Sequence, residues 1–251
     1  MARLIVLGSA YAVPDAAHEN THLALKSEHG VIMIDCAAHP TVRLQKARLE
    51  FDAITDLILT HFHPDHVYGA PLLLMDMWLL GRQNKLRVHG LHHCLSRMED
   101  LMGFFHWDEW PNFYPIAFHR LPERENMLVI DNGDFRIIST PVRHLVPTIG
   151  LRIENKASGR VVAYSCDTEP CPEFVRLAHG ADVMIHDAAG ATIGHSNASQ
   201  AGAIAAEAGA NELYLIHYDV HHLDEARLIA EARDSFAGEV RLAKDFMEFD
   251  I

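Results

Sequence analysis

The chain has 251 residues, 49% of them hydrophobic and 22% charged, with 15 Gly and 11 Pro. That balance excludes disordered, collagen-like and disulfide-scaffold chains and fits one large domain over residues 1–251. Lys and Arg number 21 against 34 Asp and Glu, so a net charge of −13 repels polyanions at long range and disfavours wholesale nucleic-acid binding.

The start, Met1-Ala2-Arg3-Leu4-Ile5-Val6-Leu7-Gly8-Ser9-Ala10, imitates a signal peptide, but its strongly apolar run is only Leu4 to Leu7 and reads better as a first strand. Strands are predicted next at His22–Lys26 and Val31–Asp35, set off by turn residues. Pro40 opens a helix to about Arg48, since proline at the first turn gives up an N–H that has no partner there. Ile54–Thr60 reads as a buried strand, Gly69–Leu80 as a helix and Leu86–His89 as a strand. The longest apolar stretch, Ala70 to Leu80, is broken by Asp76 and is too short to span a bilayer. Residues 104–118 then gather seven aromatic side chains, read as part of a helical, aromatic-rich insertion at about 76–119. Such a cluster packs a core, roofs a pocket or forms a homodimer face. Strands follow at Leu128–Asp131, Phe135–Thr140, Ile149–Glu154 and Val161–Ser165. The last third alternates: helices at Pro172–Ala178, Ala198–Ala208 and Asp224–Arg233, strands at Val183–His186 and Leu213–Ile216. This is a mixed α/β chain with helices outside packed sheets. The basic groups Arg43-Lys46-Arg48 and Arg82-Lys85-Arg87 are expected on solvated faces, and the pairs His92-His93 and His221-His222 at the surface. Four scattered cysteines and the absence of an export signal point to the cytosol.

The nineteen histidines direct attention to one segment, Thr60-His61-Phe62-His63-Pro64-Asp65-His66, directly after an apolar strand. In extended backbone, residues two apart face the same side, so His61 and His63 can share one metal ion. Pro64 turns the chain, and Asp65 and His66 then face a neighbouring point. Four metal-ligating side chains within six residues can seed two adjacent ion positions.

His-x-His-x-Asp-His after an apolar strand resembles the metallo-β-lactamase superfamily of binuclear hydrolases, and the likeness runs over nearly the whole chain. That resemblance implies a four-layer αββα sandwich with metals at one sheet edge. It implies that His61, His63 and His144 hold one ion, that Asp65, His66 and His217 hold the other, and that Asp167 bridges them. His144, Asp167 and His217 each follow a predicted strand. The implied cofactors are two divalent ions, Zn²⁺ first, with Mn²⁺ or Fe²⁺ also suited to such donors. They would make a water nucleophilic near neutral pH, with Asp65 orienting it or taking its proton.

Leu7-Gly8-Ser9 with Val13-Pro14, the segment Asp167-Thr168-Glu169-Pro170, and Gly194-His195-Ser196 look like the ribonuclease Z group of phosphodiesterases. There the histidine matching His195 serves in proton transfer. His186-Asp187-Ala188-Ala189 stands where that group has His-Glu-Ala-Thr, so Asp187 replaces a glutamate. Two departures concern the substrate. Only 22 residues separate His144 from Asp167, leaving no room for a tRNA-gripping arm. Pro14-Asp15-Ala16-Ala17-His18-Glu19-Asn20 replaces the group's basic Pro-x-Lys-x-Arg-Asn pattern. The expected function is therefore a metal-dependent phosphodiesterase acting on small or nucleotide-type substrates. The alternatives are a tRNA 3′-processing endonuclease lacking its arm, a lactonase or other ester hydrolase, and a non-catalytic metal-binding or sensor protein.

Overall fold

The computed structural model describes residues 2–251. Two seven-stranded sheets face each other. The first has the order β14-β1-β2-β3-β4-β5-β6, formed by Arg3–Gly8 (β1), His22–Lys26 (β2), Val31–Ile34 (β3), Ile54–Ile58 (β4), Leu86–Leu91 (β5), Ile116–Leu121 (β6) and Glu248–Asp250 (β14). The second has the order β13-β12-β11-β10-β9-β8-β7. It comprises Met127–Asp131 (β7), Phe135–Val142 (β8), Thr148–Asn155 (β9), Val161–Tyr164 (β10), Val183–Asp187 (β11), Glu212–Ile216 (β12) and Glu239–Leu242 (β13). The halves match in plan: β3 to β6 run parallel, as do β10 to β13, and the remaining pairs are antiparallel.

Period-two alternation explains the layers. Leu4 and Val6 of β1 join Leu23, Leu25, Ile32 and Ile34 in a core between the sheets, meeting Ile137, Leu151, Ile153, Val162 and Ile185 from the second sheet. Ile5 and Leu7 turn the other way, towards the helices Pro40–Lys46 (α1), Ala70–Leu79 (α3) and His92–Gly103 (α4). Pro172–Ala178 (α5), Ala198–Ala208 (α6) and Glu225–Arg233 (α7) cover the outer face of the second sheet. Both sheets are thus buried on both faces, and the architecture is the αββα sandwich. Proline stands in the first turn of α1, α3, α5 and the short Pro64–Val67 helix (α2), and Asn197 with Gln200 forms a capping box on α6.

The segment 76–119 is more than a helical insertion. It carries β5 and β6, two full strands of the first sheet, between α3, α4 and a 3-10 turn at Trp107–Glu109. Alternating Leu86 and Val88 and the β-favouring Ile116 and Phe118 account for those strands. Most of the aromatic run packs inward: Tyr114 is buried, and Trp107, Trp110, Phe113 and Phe118 lean on the core beneath α3 and α4. Two of the arginines expected at the surface are also buried. Arg43 donates to the Leu7 carbonyl and pairs with Asp245, while Arg82 donates to the carbonyls of Phe51, Ile54, Asn84 and Lys85. Among the described residues, no helix is long and apolar enough to cross a membrane.

Candidate metal centre

The C-terminal ends of the parallel strands meet at one edge of the sandwich, where loops leave the sheets and side chains converge. From the first sheet, β3 delivers Asp35, and β4 leads through Thr60 into His61, His63, Asp65 and His66. From the second, β8 leads to His144, β10 to Asp167, β11 ends on Asp187 and β12 leads to His217. The sheets are joined at this edge: the His217 N–H donates to the Ser9 carbonyl at 2.9 Å, and the Ile149 N–H to the Thr60 carbonyl at 3.2 Å. Asp35, Cys166 and His217 have φ of 61°, 54° and 57°. These left-handed turns, uncommon for such residues, end three strands abruptly and aim the donors into the gap.

All seven residues expected to ligate lie together, in two sets. His61, His63, His144 and Asp167 offer donor atoms within 4.8 Å of one another, and so do Asp65, His66, Asp167 and His217. Asp167 is common to both. Its Oδ2 lies 3.4 Å from His66 Nε2, 3.5 Å from His217 Nε2, and 3.9 Å from both His61 Nε2 and His144 Nε2. His63 Nδ1 stands 3.0 Å from His144 Nε2, and Asp65 Oδ2 stands 3.5 Å from both His66 Nε2 and His217 Nε2. Donors about 2.0–2.2 Å from a tetrahedral ion are roughly 3.3–3.6 Å apart, so these spacings fit divalent cations.

Three further observations support the fit. His61 Nε2, His66 Nε2 and Asp167 Oδ1 are buried with no hydrogen-bond partner, a costly condition that a cation removes. The opposite ring nitrogens are held, as is usual for metal-bound imidazoles. His61 Nδ1 meets Thr60 Oγ1 at 3.1 Å, His66 Nδ1 meets Asp35 at 2.9 Å, and His144 Nδ1 donates to the Gly194 carbonyl at 2.7 Å. Finally, Asp35, Asp65, Asp167 and Asp187 bring four carboxylates into one largely buried space, and positive charge must answer them. Burial opposes ionisation of Asp167, but the charges of His217 and His66 hold it well below the usual carboxylate range. Burial pushes His217 down, yet Asp167 first, then Asp187 and Asp65, bring it up to about 10. Burial keeps His61 well below the ordinary histidine value.

His195 lies at the mouth, its ring 5.0 Å from that of His144 and 5.4 Å from that of His217. Its Nδ1 is 3.0 Å from Asp187 Oδ2. The same carboxylate accepts the N–H groups of Thr168 and Ser196, each at 3.2 Å, and its Oδ1 accepts that of Ala189 at 2.9 Å. Oδ1 also lies 3.5 Å from His217 Nδ1, a charge contact rather than a hydrogen bond. Burial lowers the affinity of His195 for a proton, but Asp187 more than offsets this and sets its pKa above the ordinary value.

Two residues have positioning roles that the sequence did not suggest. Asp35 accepts the Thr60 N–H at 2.8 Å and hydroxyl at 2.7 Å, and so holds His66 directly and His61 through Thr60. Its signal was an acid closing the all-apolar strand Val31–Ile34. Gly194, at φ +86°, leaves room for His144: a Cβ there would come within 2.8 Å of His144 Nδ1. Cys166 is buried with its Sγ 2.9 Å from Thr60 Oγ1 and 3.5 Å from His61 Nδ1, so it packs behind the first donor set. His221 and His222 are exposed, as expected; at the start of α4 His92 is exposed and His93 half-buried, and neither belongs to the grouped donors.

The family model "Beta-lactamase superfamily domain" matches residues 31–218. A ribonuclease Z of Bacteroides fragilis is 27% identical over 300 positions, covering 96% of each chain. Three solved structures share the fold. The metallo-beta-lactamase fold protein YhfI of Bacillus subtilis has a TM-score of 0.84 at 23% identity, covering 99% of this chain and 98% of that one. The human short-form tRNase Z has 0.80 at 23%, covering 99% of each. A diphosphatase of the PhnP family has 0.77 at 18%, covering 100% and 98%. The chain therefore belongs to the beta-lactamase superfamily, as a metal-dependent hydrolase of the metallo-β-lactamase fold with a ribonuclease Z-like sequence.

Proposed function

We propose that this chain is a phosphodiesterase that works with two divalent ions, zinc by preference, on small or nucleotide-type phosphodiesters. One ion would be held by His61, His63 and His144, the other by Asp65, His66 and His217, with Asp167 shared. Bound there, the ions would lower the pKa of water towards neutrality and draw charge from a phosphoryl oxygen. The observation that carries the choice of phosphodiester is the 3.0 Å contact between Asp187 and His195.

The residues divide the work as follows. Asp65 is held ionised, because hydrogen bonding from His217 and the charge of His66 overcome its burial. An ionised carboxylate at the mouth accepts a hydrogen bond from the attacking water and aims its oxygen at phosphorus. As that P–O bond forms, the bond to the departing oxygen breaks, and the alkoxide needs a proton. Asp187 fixes His195 with Nδ1–H towards the carboxylate, leaving Nε2 to carry the proton to the departing oxygen. A lactone needs this less, since its ring-opened oxygen can be stabilised by a cation.

The fold argues for a small substrate over tRNA. Between His144 and Asp167 lie only β9, β10 and a connection over residues 156–160, so nothing protrudes there. The alignment with the ribonuclease Z of Bacteroides fragilis spans 300 positions but takes in only 96% of these 251 residues, so roughly sixty positions of that relative face no residue of this chain. The four cysteines are buried free thiols, which supports a reducing, cytoplasmic setting. The test is a panel of phosphodiester, lactone and precursor-tRNA substrates given to the zinc-loaded protein. Turnover of small phosphodiesters with little on the other two is expected, and a lactone preferred over every phosphodiester would overturn the reading.

A further inference from the structure

The loop between β11 and α6 carries His195, and packing anchors little of it. Ala191, Thr192 and Ile193 are exposed, Ile193 to 77%, and Gly194 then turns back into the protein and is buried. The loop closes on itself: the Gly190 N–H donates to the Ser196 carbonyl at 3.0 Å, Thr192 N–H to the Gly190 carbonyl at 2.8 Å, and His195 N–H to the Thr192 carbonyl at 3.0 Å. Its two ends are tied down. The Ala189 and Ser196 N–H groups donate to Asp187, and Ser196 Oγ donates to the Thr168 carbonyl at 2.7 Å. These bonds give the loop a shape, and Asp187 sets which way the His195 ring faces. They do not set how far His195 stands from His144.

Glu169 supplies that distance. It lies two residues after Asp167, and Pro170 confines it to extended backbone. There it pairs with Arg143, the residue before His144, its N–H donating to the Arg143 carbonyl at 2.8 Å. From this seat Glu169 Oε1 accepts the Gly194 N–H at 2.8 Å. A carboxylate makes a stronger acceptor for such a bond than a neutral oxygen. On its other side Gly194 offers its carbonyl to His144 Nδ1 at 2.7 Å. That carbonyl and the His195 N–H belong to one planar peptide group. His144 therefore holds the peptide that carries His195, and Glu169 holds the peptide before it. Gly194 has no slack, since even an added Cβ would come within 2.8 Å of His144 Nδ1 and 3.1 Å of Leu145 Cγ. A shift of Gly194 must move His144, His195 or both. The segments that supply Asp167, His144 and His195 thus meet at one half-buried carboxylate.

We propose that Glu169 is a positioning residue: by holding Gly194 it keeps the proton donor His195 in register with His144 and the first ion's site. This rests on the phosphodiesterase reading, in which His195 protonates the departing oxygen, and adds what fixes that donor in place.

The first measurement needs no turnover. Hydrogen exchange at the Gly194 amide is followed in zinc-loaded and in chelated protein. Glu169→Ala should speed it by roughly 10- to 100-fold, the range for losing a hydrogen bond to a charged group, while amides in β9 and β10 keep their rates. Glu169→Gln, whose amide oxygen still accepts, should restore most of the protection. Competition with a chelator should show one of the two ions weakened by roughly 10-fold in Glu169→Ala, because the partner of His144 has moved. Turnover then compares a dialkyl phosphodiester with bis(p-nitrophenyl) phosphate at saturating zinc. Glu169→Ala should lower kcat on the dialkyl ester by roughly 10- to 100-fold, as a misplacement of about 1 Å can, and on the nitrophenyl ester by a few-fold at most. Glu169→Gln should recover most of the loss. If the parent protein hydrolyses neither ester, the phosphodiesterase reading fails, and exchange and zinc affinity still decide the role of Glu169. Unchanged exchange at Gly194 in Glu169→Ala would overturn the proposal, as would equal losses on the two esters. So would faster exchange across both sheets with a lowered Tm, which would make Glu169 a general stabiliser of the fold.

Discussion

The carboxylate of Asp187 lies 3.0 Å from the Nδ1 of His195, and both stand on the second sheet's side of the mouth. Asp187 is fully buried, while the side chain of His195 is 18% exposed. A buried acid orienting a mostly buried imidazole with one edge open is the arrangement that fixes a tautomer for proton transfer. Asp187→Asn keeps the shape and removes the charge, so its amide can present N–H where an acceptor is required. Turnover should fall by roughly 10²–10⁴-fold, in line with the same change behind a catalytic histidine elsewhere. Asp187→Glu should recover part of it. Because Asp187 also faces His217, metal affinity should weaken by roughly 10–100-fold, measurable by competition with a chelator. Unchanged turnover at full metal loading would remove Asp187 from the mechanism.

His195→Ala separates proton donation from structure. On a phosphodiester with an alkyl leaving group, kcat should drop by roughly 10²–10⁴-fold, the usual contribution of a general acid. With p-nitrophenolate, which departs without a proton, the loss should shrink to a few-fold. Metal content should match the parent protein. Equal losses on both substrates would assign His195 to positioning, and lost metal would make it a ligand.

Far from the mouth, Asp56 of β4 is buried and accepts Arg87 Nε and Nη2 at 2.6 Å each and His89 Nε2 at 2.8 Å. Burial alone would raise its pKa, but these bonds, chiefly from Arg87, bring it well below the carboxylate range. A depressed folded-state pKa contributes stability that is present above about pH 4, the unfolded value, and is lost as the pH falls further. Asp56→Asn takes the anion from Arg87, whose side chain is 43% exposed, and from the buried His89, and should cost about 1–3 kcal/mol. For a chain of this size that lowers Tm by roughly 2–12 °C. The variant's Tm should also fall less steeply than the parent's below pH 4. A parallel fall would mean that Asp56 does not couple to acid unfolding.

Binding of full-length tRNA should be weak, with a shallow dependence on salt, because few phosphates would be contacted. Filter binding across a salt series measures this. Submicromolar binding with a steep slope would show that a basic patch docks RNA and that the small-substrate reading is mistaken.

Much of the site was legible because metal ligation imposes spacing on the chain. His61-x-His63-x-Asp65-His66 is local, so a strand followed by a proline turn places four donors from sequence alone. His144, Asp167 and His217 are remote from it and from one another. Only their common position after strands, together with the family resemblance, tied them to the motif. Asp187 and Asp35 could not be ranked this way, since their importance comes from contacts across the sandwich that no local pattern encodes. In the fold, long apolar strands and proline-initiated helices were read within a few residues. Helix α4 was not delimited inside the helical insertion read at about 76–119, although Cys94, Leu95, Met98 and Met102 form its buried face, because the paired histidines that open it were read as a surface feature. Strand β6 was hidden inside the aromatic run, and β13 and β14 are too short to show a period.

Two ions sharing Asp167 would serve phosphodiester hydrolysis together. This is tested most directly by adding zinc stepwise to chelated protein while following hydrolysis of bis(p-nitrophenyl) phosphate and the bound metal together. Activity should be absent at the start and reach its maximum at two ions per chain. Asp167→Ala should fail to hold either ion firmly, whereas His144→Ala should weaken mainly one. Full activity in the chelated protein, or a maximum at one ion with Asp167→Ala still binding normally, would rule out a shared two-ion centre.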